Sequence, residues 1–282
     1  MIMAFTGAVQ TTGVGLRHVR VALRDTDGTI QVPSGTAAGT AYAGLQIQGA
    51  EALTISVPDP QRVTARGDDR PYYTFQLPPT DMPSGELRVS KTDKDVIALL
   101  TDTKVFGSAP FKKIGVATNK QGEEPIIMLW GYREAIDSND DSAYFGTRVW
   151  DTYILLDCEA ALRPASMEDS AIGEFSYAIS GNDASVDEFG TSFTEAIHGF
   201  TKCPYLVVTS PYKFWMDAFL MDGIETELTL SKTPVASGSV INVAVNGVVA
   251  LETTDWAYAA GVITLVAAGD DGDKVIVEYD YD

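Results

Sequence analysis

Strict alternation of apolar and polar positions organises most of this chain. Val19, Val21 and Leu23 alternate with His18, Arg20, Ala22 and Arg24, the period-2 pattern of a half-buried strand, here with a basic outer face. Similar runs occur at Leu53-Ile55-Val57, Tyr73-Phe75-Leu77, Leu87-Val89 and Phe175-Tyr177-Ile179. The continuous apolar stretches Ile126–Trp130, Tyr153–Leu156 and Tyr205–Val208 predict strands covered on both faces. Helices are few. Thr92-Asp93-Lys94-Asp95 reads as a capping-box-like start, with Val96, Ile97, Leu99 and Leu100 as one apolar face. Ser210 through Gly223 offers a second candidate: Ser210 as cap, Pro211 in the first turn, Gly223 as stop, and Phe214, Trp215, Ala218 and Phe219 along one side.

Between these elements, Pro33–Gly49 is rich in Gly, Ala and Thr and nearly uncharged. A stretch of that length without a periodic pattern predicts a long mobile loop or loose arm, with Pro33, Gly35, Thr36, Gly39, Tyr42 and Gly44 as its characteristic residues. The end of the chain is tidier. Asn246-Gly247 between two β-branched runs predicts a type I′ hairpin. Trp256 would plug a small core, and Val275, Val277 and Tyr279 would line the inner face of a last strand. A boundary near Glu225 therefore separates residues 1–224 from a unit of residues 225–282, expected to close its own core and to hang from the body through Leu230–Ser237.

Composition narrows the classes. With 39 acidic and 20 basic residues the net charge is −19, which argues against ordinary duplex-DNA binding, where Lys and Arg supply the affinity. Residues 225–282 hold ten acids against two lysines, net −8, leaving −11 for residues 1–224. The N-terminal stretch has neither a basic region nor a long apolar one, so no secretion signal is expected, and nothing is apolar enough to insert in a membrane. Two cysteines, Cys158 and Cys203, predict no disulfide framework.

Catalytic and metal patterns are sparse. His18 and His198 are the only histidines, and a Cys203/His198 pair lacks the context of a nucleophile site. Asp137, Asn139 and Asp141 open like a calcium loop, but Ser142 and Arg148 occupy the positions that require Gly and Glu. Asp25, Asp27 and Gly28, like Asp270-Asp271-Gly272-Asp273, read as turns. So does Arg66-Gly67-Asp68. The carboxylate clusters Asp68-Asp69 and Asp157/Glu159 would be needed by a carboxylate-dependent hydrolase, the least favoured reading. No cofactor, metal or catalytic residue is expected.

Family resemblance adds a direction. Gly67–Val105 (GDDRPYYTFQLPPTDMPSGELRVSKTDKDVIALLTDTKV), FGTRVWDTYILLDCEAALRP and AIGEFSYAIS resemble the middle and later strands of tail tube proteins from long-tailed bacteriophages. The C-terminal pattern, from Val243 to Tyr279, resembles the small immunoglobulin-like β-sandwich modules appended to phage fibre, tail and capsid proteins. The resemblance implies a mostly β chain: a sandwich or barrel with one or two short helices, plus a small C-terminal β-sandwich. It implies no enzyme, but a structural virion protein made in the host cytoplasm. Six copies would form a ring, rings would stack into a tube with tape measure and tail terminator proteins as partners, and DNA would pass the lumen without specific binding. Pro33–Gly49 and Met1–Gly15 would then reach the neighbouring ring, and His18, Arg20 and Arg24 would face a subunit interface. The alternative is a glycan-binding protein of a baseplate or fibre, with Trp256, Tyr258, Tyr72 and Tyr73 as its platform.

Overall fold

The computed structural model describes residues 11–56, 61–67, 70–77, 83–91, 93–107, 113–114, 124–163, 175–236 and 239–282. Strand accounts for 54% of it and helix for 6%, in two short helices. The mostly β expectation holds.

The body is one antiparallel sheet. It uses β1 (Thr11–Leu23), β2 (Leu45–Ile47), β3 (Ala50–Ser56), β6 (Ser84–Val89), β7 (Ile127–Asp137), β8 (Arg148–Leu162), β9 (Phe175–Gly181) and β10 (Tyr205–Ser210), in the order β2-β1-β7-β8-β9-β6-β3 with β10 beside β8. The sheet curls until β3 approaches β1. Its concave side encloses an aliphatic core of Val19, Val21, Leu87, Ile127, Leu129 and Ile179, closed by α1 (Lys94–Leu100). The helix forms where the sequence expects one, but its cap is Asp93, one residue later than a capping box from Thr92 implies: Asp93 Oδ1 accepts from the amides of Asp95 and Val96, while Val96, Ile97 and Leu100 are buried. Thr92 lies outside the described residues.

The convex side of the same wall is covered too. Met128, Trp130 and Tyr132 of β7 point away from Ile127 and Leu129 into a second core, so β7 and β8 are buried on both faces as the apolar runs predict. For β10 that expectation fails, since Val207 is 48% exposed. The second core is closed by a sheet in the order β11-β17-β13-β14, formed by β11 (Lys213–Asp222), β13 (Val240–Val245), β14 (Val248–Val249) and β17 (Asp271–Tyr281). Behind it lies a third sheet, β12-β16-β15, of β12 (Glu227–Thr229), β15 (Trp256–Ala259) and β16 (Val262–Leu265). A short α2 (Glu195–His198) ends at Gly199, φ 75°.

Two expectations are corrected here. The second helix is a strand, β11, paired along its length with β17. Phe214, Met216 and Ala218 alternate with Trp215, Asp217 and Phe219, and all six are buried. A run apolar on both faces carries no period that separates helix from strand, and Pro211 belongs to the turn before it. The boundary at 225 also fails as a division between independent units. β11 precedes it and pairs with the last strand beyond it, and one hydrophobic cluster contains Trp130, Phe219, Trp256 and Val277 together. Leu230–Ser237 is no tether: Leu230 is buried, and the Leu230 amide donates to Gly261 O at 3.0 Å.

Details of the C-terminal pattern do hold. Asn246 (φ 49°) and Gly247 (φ 78°) form the hairpin turn between β13 and β14. Trp256, Val275, Val277 and Tyr279 are buried. Ile276 and Glu278 on the opposite face are buried as well, because β17 is sandwiched between two layers.

Candidate assembly surface

Arg20 on β1 and Arg24 just after it lie where little solvent reaches them, whereas Arg17 on the same strand is exposed. Arg20 is 1% exposed, held between the wall and β11. Its Nη1 donates to Tyr132 Oη at 2.9 Å, Nη2 to Met216 O at 3.0 Å, and Nε to Ala43 O at 2.9 Å. The guanidinium stacks 3.6 Å from the Trp215 ring centroid and 4.9 Å from that of Trp130. Arg24 has 5% side-chain exposure and pairs with Asp157 at 2.9 Å. Burial lowers the Arg24 pKa, and Asp157 opposes the shift. His18 stacks on Tyr132 at 4.1 Å. The expectation of a basic interface face is therefore wrong for Arg20 and Arg24, which fasten the layers inside one chain. Planar guanidinium donors suit such a buried site because each finds a fixed acceptor.

The Pro33–Gly49 stretch is likewise held internally. Tyr42 exchanges two 2.9 Å backbone bonds with Ala218, and Gly39 N donates to Leu220 O. The strap thus lies along the outer edge of β11. At Gly44, with φ 75°, a Cβ would sit 2.6 Å from Val21 O, so the strap can cross β1 only with glycine there. Thr36 Oγ1 bonds Pro33 O at 2.8 Å, closing a turn in which Gly35 has φ 90°.

Behind β11, Asp217 is fully buried and fully used. It accepts from Trp215 Nε1 (3.1 Å), Ser231 Oγ (2.6 Å), Ser231 N (2.7 Å) and Tyr279 Oη (2.7 Å). Burial, then the Asp217 charge, pushes the Tyr279 pKa up. Near the Trp215 ring two lysines meet an aromatic cluster. Lys213 Nζ lies 5.0 Å from both Trp150 and Tyr281, and Lys232 Nζ lies 5.4 Å from Trp215 and 5.8 Å from Tyr281. His18 feels these charges: burial, then Arg20, Lys213 and Lys232, lower its pKa to about 4.

A second polar seam joins β17 to the loop after β9. Glu188 and Glu278 are 6% and 4% exposed, and Glu188 Oε2 and Glu278 Oε1 accept from no donor. Burial raises the Glu188 pKa to about 7, and burial and the Glu188 charge raise that of Glu278 well above the usual carboxylate range. With its pKa raised in this way, either carboxyl in its protonated form would supply a donor to the other. Asn242 Nδ2 donates to Glu278 Oε2 at 3.1 Å.

The weaker chemical candidates resolve as structure. Cys203 Sγ donates to Tyr205 O at 2.8 Å and burial raises its pKa, while His198 Nδ1 accepts from Thr194 N. Neither activates the other. Asp137, Asn139 and Ser142 each accept from a backbone amide two residues on, in successive turns. No metal-binding group of three is present among the described residues. Asp68 and Asp69 lie outside the described residues, as do residues 1–10 of the N-terminal arm and the Tyr72 and Tyr73 side chains. Trp256, at 3% exposure, cannot serve a glycan platform.

Strand edges remain. β4 (Gln61–Gly67) pairs with β5 (Arg70–Leu77), and this hairpin joins no other sheet among the described residues. β14 is a second open edge, with Val248 71% and Val249 49% exposed. No family model matches the chain, and no curated protein matches it.

Proposed function

We propose that this chain is a structural subunit that assembles with its own copies into stacked rings of the phage tail tube type. The observation that carries this reading is the β4–β5 hairpin. Two strands of seven and eight residues form a ladder whose two edges pair with no other strand among the described residues, and a two-stranded ladder is marginal alone. Unpaired backbone donors and acceptors on a strand of that length are templates for another chain. In a closed ring every hairpin would gain a neighbour on each side, and the sheet of the ring would have no edge. The acidic balance fits the same reading, because a wall without basic contacts lets a polyanion slide without holding it. The proposed setting is the virion, with tape measure and terminator proteins as further partners and no chemistry required of the subunit.

Negative-stain electron microscopy of the purified chain tests this. Rings or tubes are expected, and Val63→Pro with Phe75→Pro should abolish them while circular dichroism still reports a folded β protein. Compact monomers at every concentration, or tubes unchanged by the prolines, would overturn the proposal.

A further inference from the structure

The two ends of the β11–β17 ladder differ in charge. Lys213 pairs with Tyr281 at one end and Asp222 with Asp271 at the other, nine residue steps or roughly 30 Å apart. The first end carries Lys213 and Lys232 over the Trp150, Trp215 and Tyr281 rings. No carboxylate lies within ion-pair distance of either lysine or of Arg20 among the described residues, whereas Arg17, Arg24, Arg133, Arg148 and Lys274 all have one. Lys213 and Lys232 make this the more positive end of the ladder in a chain of net −19, although Asp217 is buried behind Trp215 and Asp280 and Asp282 flank Tyr281. His18 lies beside them, its pKa lowered first by burial and then by Arg20, Lys213 and Lys232.

At the far end the carboxylates gather. A hollow of about 330 Å³ is lined by Asp255, Asp270 and Asp273 with Val266 and Leu265, and Asp222 and Asp271 lie exposed beside it. Apolar side chains are exposed at the same end: Ile224 at 81%, Val266 at 70% and Leu251 at 65%. Lys274 offers little compensation, since Asp25 and Asp27 hold it at 2.5 and 3.0 Å.

We infer that this ladder is a head-to-tail docking unit: the carboxylate-lined end of one copy seats on the Lys213–Lys232 end of the next. The inference rests on the reading of the chain as self-assembling, and names the contact. Different patches on opposite ends make a heterologous contact, which propagates along an axis instead of closing a pair. Opposite charge sets its polarity, because like ends repel, and the exposed apolar side chains supply area that charge alone lacks. Lysine over an aromatic floor suits a carboxylate partner: the ring fixes the ammonium, and the acid approaches from the open side.

A charge swap tests it, read by sedimentation velocity at low and high salt beside electron microscopy. Lys213→Glu with Lys232→Glu should abolish stacking, as should Asp270→Lys with Asp271→Lys, and the four changes together should restore it. Lys232→Gln alone, at an exposed position, should raise the concentration needed for assembly about tenfold, equivalent to ~1.4 kcal/mol, and added salt should do the same to the unaltered chain. This single variant and the salt series decide the matter if a double variant fails to fold. Tubes that form regardless of both reversals and of salt would overturn this contact and leave the tube reading standing. Salt-sensitive oligomers without tubes, broken by reversal and restored by the swap, would support the contact and sink the tube reading. A chain that stays monomeric throughout would overturn both.

Discussion

The wall of β1, β7 and β8 faces two interiors of opposite character. On its concave side Val19, Val21, Leu129 and Leu100 of α1 pack as an aliphatic core. On its convex side the same strands present Arg20, Trp130 and Tyr132 to a layer that also buries Asp217 and Glu278. Aliphatic burial is non-directional, and scales with area. Buried charge is costly unless each donor and acceptor finds its partner, so Arg20 and Asp217 tolerate one docking geometry for β11. The concave side holds the body together, whereas the convex side fixes how the C-terminal sheets sit upon it.

The sharpest way to break this contrast is Asp217→Ala. Four donors would lose their acceptor, and we expect a loss of about 4 kcal/mol in urea denaturation. Leu100→Ala in the aliphatic core should cost about 3 kcal/mol through the cavity it leaves. If Asp217→Ala costs clearly less than Leu100→Ala, the directional account of the convex layer is wrong.

The Glu188–Glu278 seam sharpens the comparison through pH. Its folded pKa values are raised, so its contribution is fully present below the ordinary carboxylate pKa of 4.5 and is lost as pH rises through about 7. Burial and the Asp187 charge raise the Glu188 pKa, while a backbone hydrogen bond, the hydrogen bond to Glu278 and the Arg24 charge oppose them. Glu188→Gln should therefore leave stability at pH 4 nearly unchanged and raise it by about 2 kcal/mol at pH 8. A melt showing equal effects at both pH values would contradict this. Smallest of all, Asn246→Ala should cost about 1 kcal/mol, from the positive φ and the lost bonds to Asp273 and Lys274. Urea midpoints resolve a change of that size.

Much of the β architecture was legible in the sequence because period-2 patterning is local: β1, β7, the presence of α1 and the Asn246-Gly247 turn follow from neighbours along the chain. What was illegible is tertiary. Phe214 to Met221 is apolar on both faces, and only the layers above and below make it a strand. Arg20 alternates with valines as an exposed residue would; its burial depends on Ala43, Tyr132 and Met216, remote in sequence. The strap from Pro33 to Gly49 has no periodicity because its order comes from the edge of β11. Lys213 and Lys232 carry no local signal, since an aromatic cluster is assembled from β8, β11 and β17. Glu278 shares its face of β17 with Lys274, Ile276 and Asp280, which reads as a solvent-facing side, so its burial has no sequence signal.

Arg20 and its acceptor on Met216 are 196 residues apart in sequence, and pairings of such separation form late. Until β11 arrives, the convex face of the wall is a bare sheet of Met128, Trp130, Tyr132 and Ile154, the kind of surface on which partly folded chains aggregate. In a chain with β11 undocked, a hydrated guanidinium in the middle of that face would keep neighbouring chains apart. The residue that locks the layers together would then also act as a gatekeeper against aggregation.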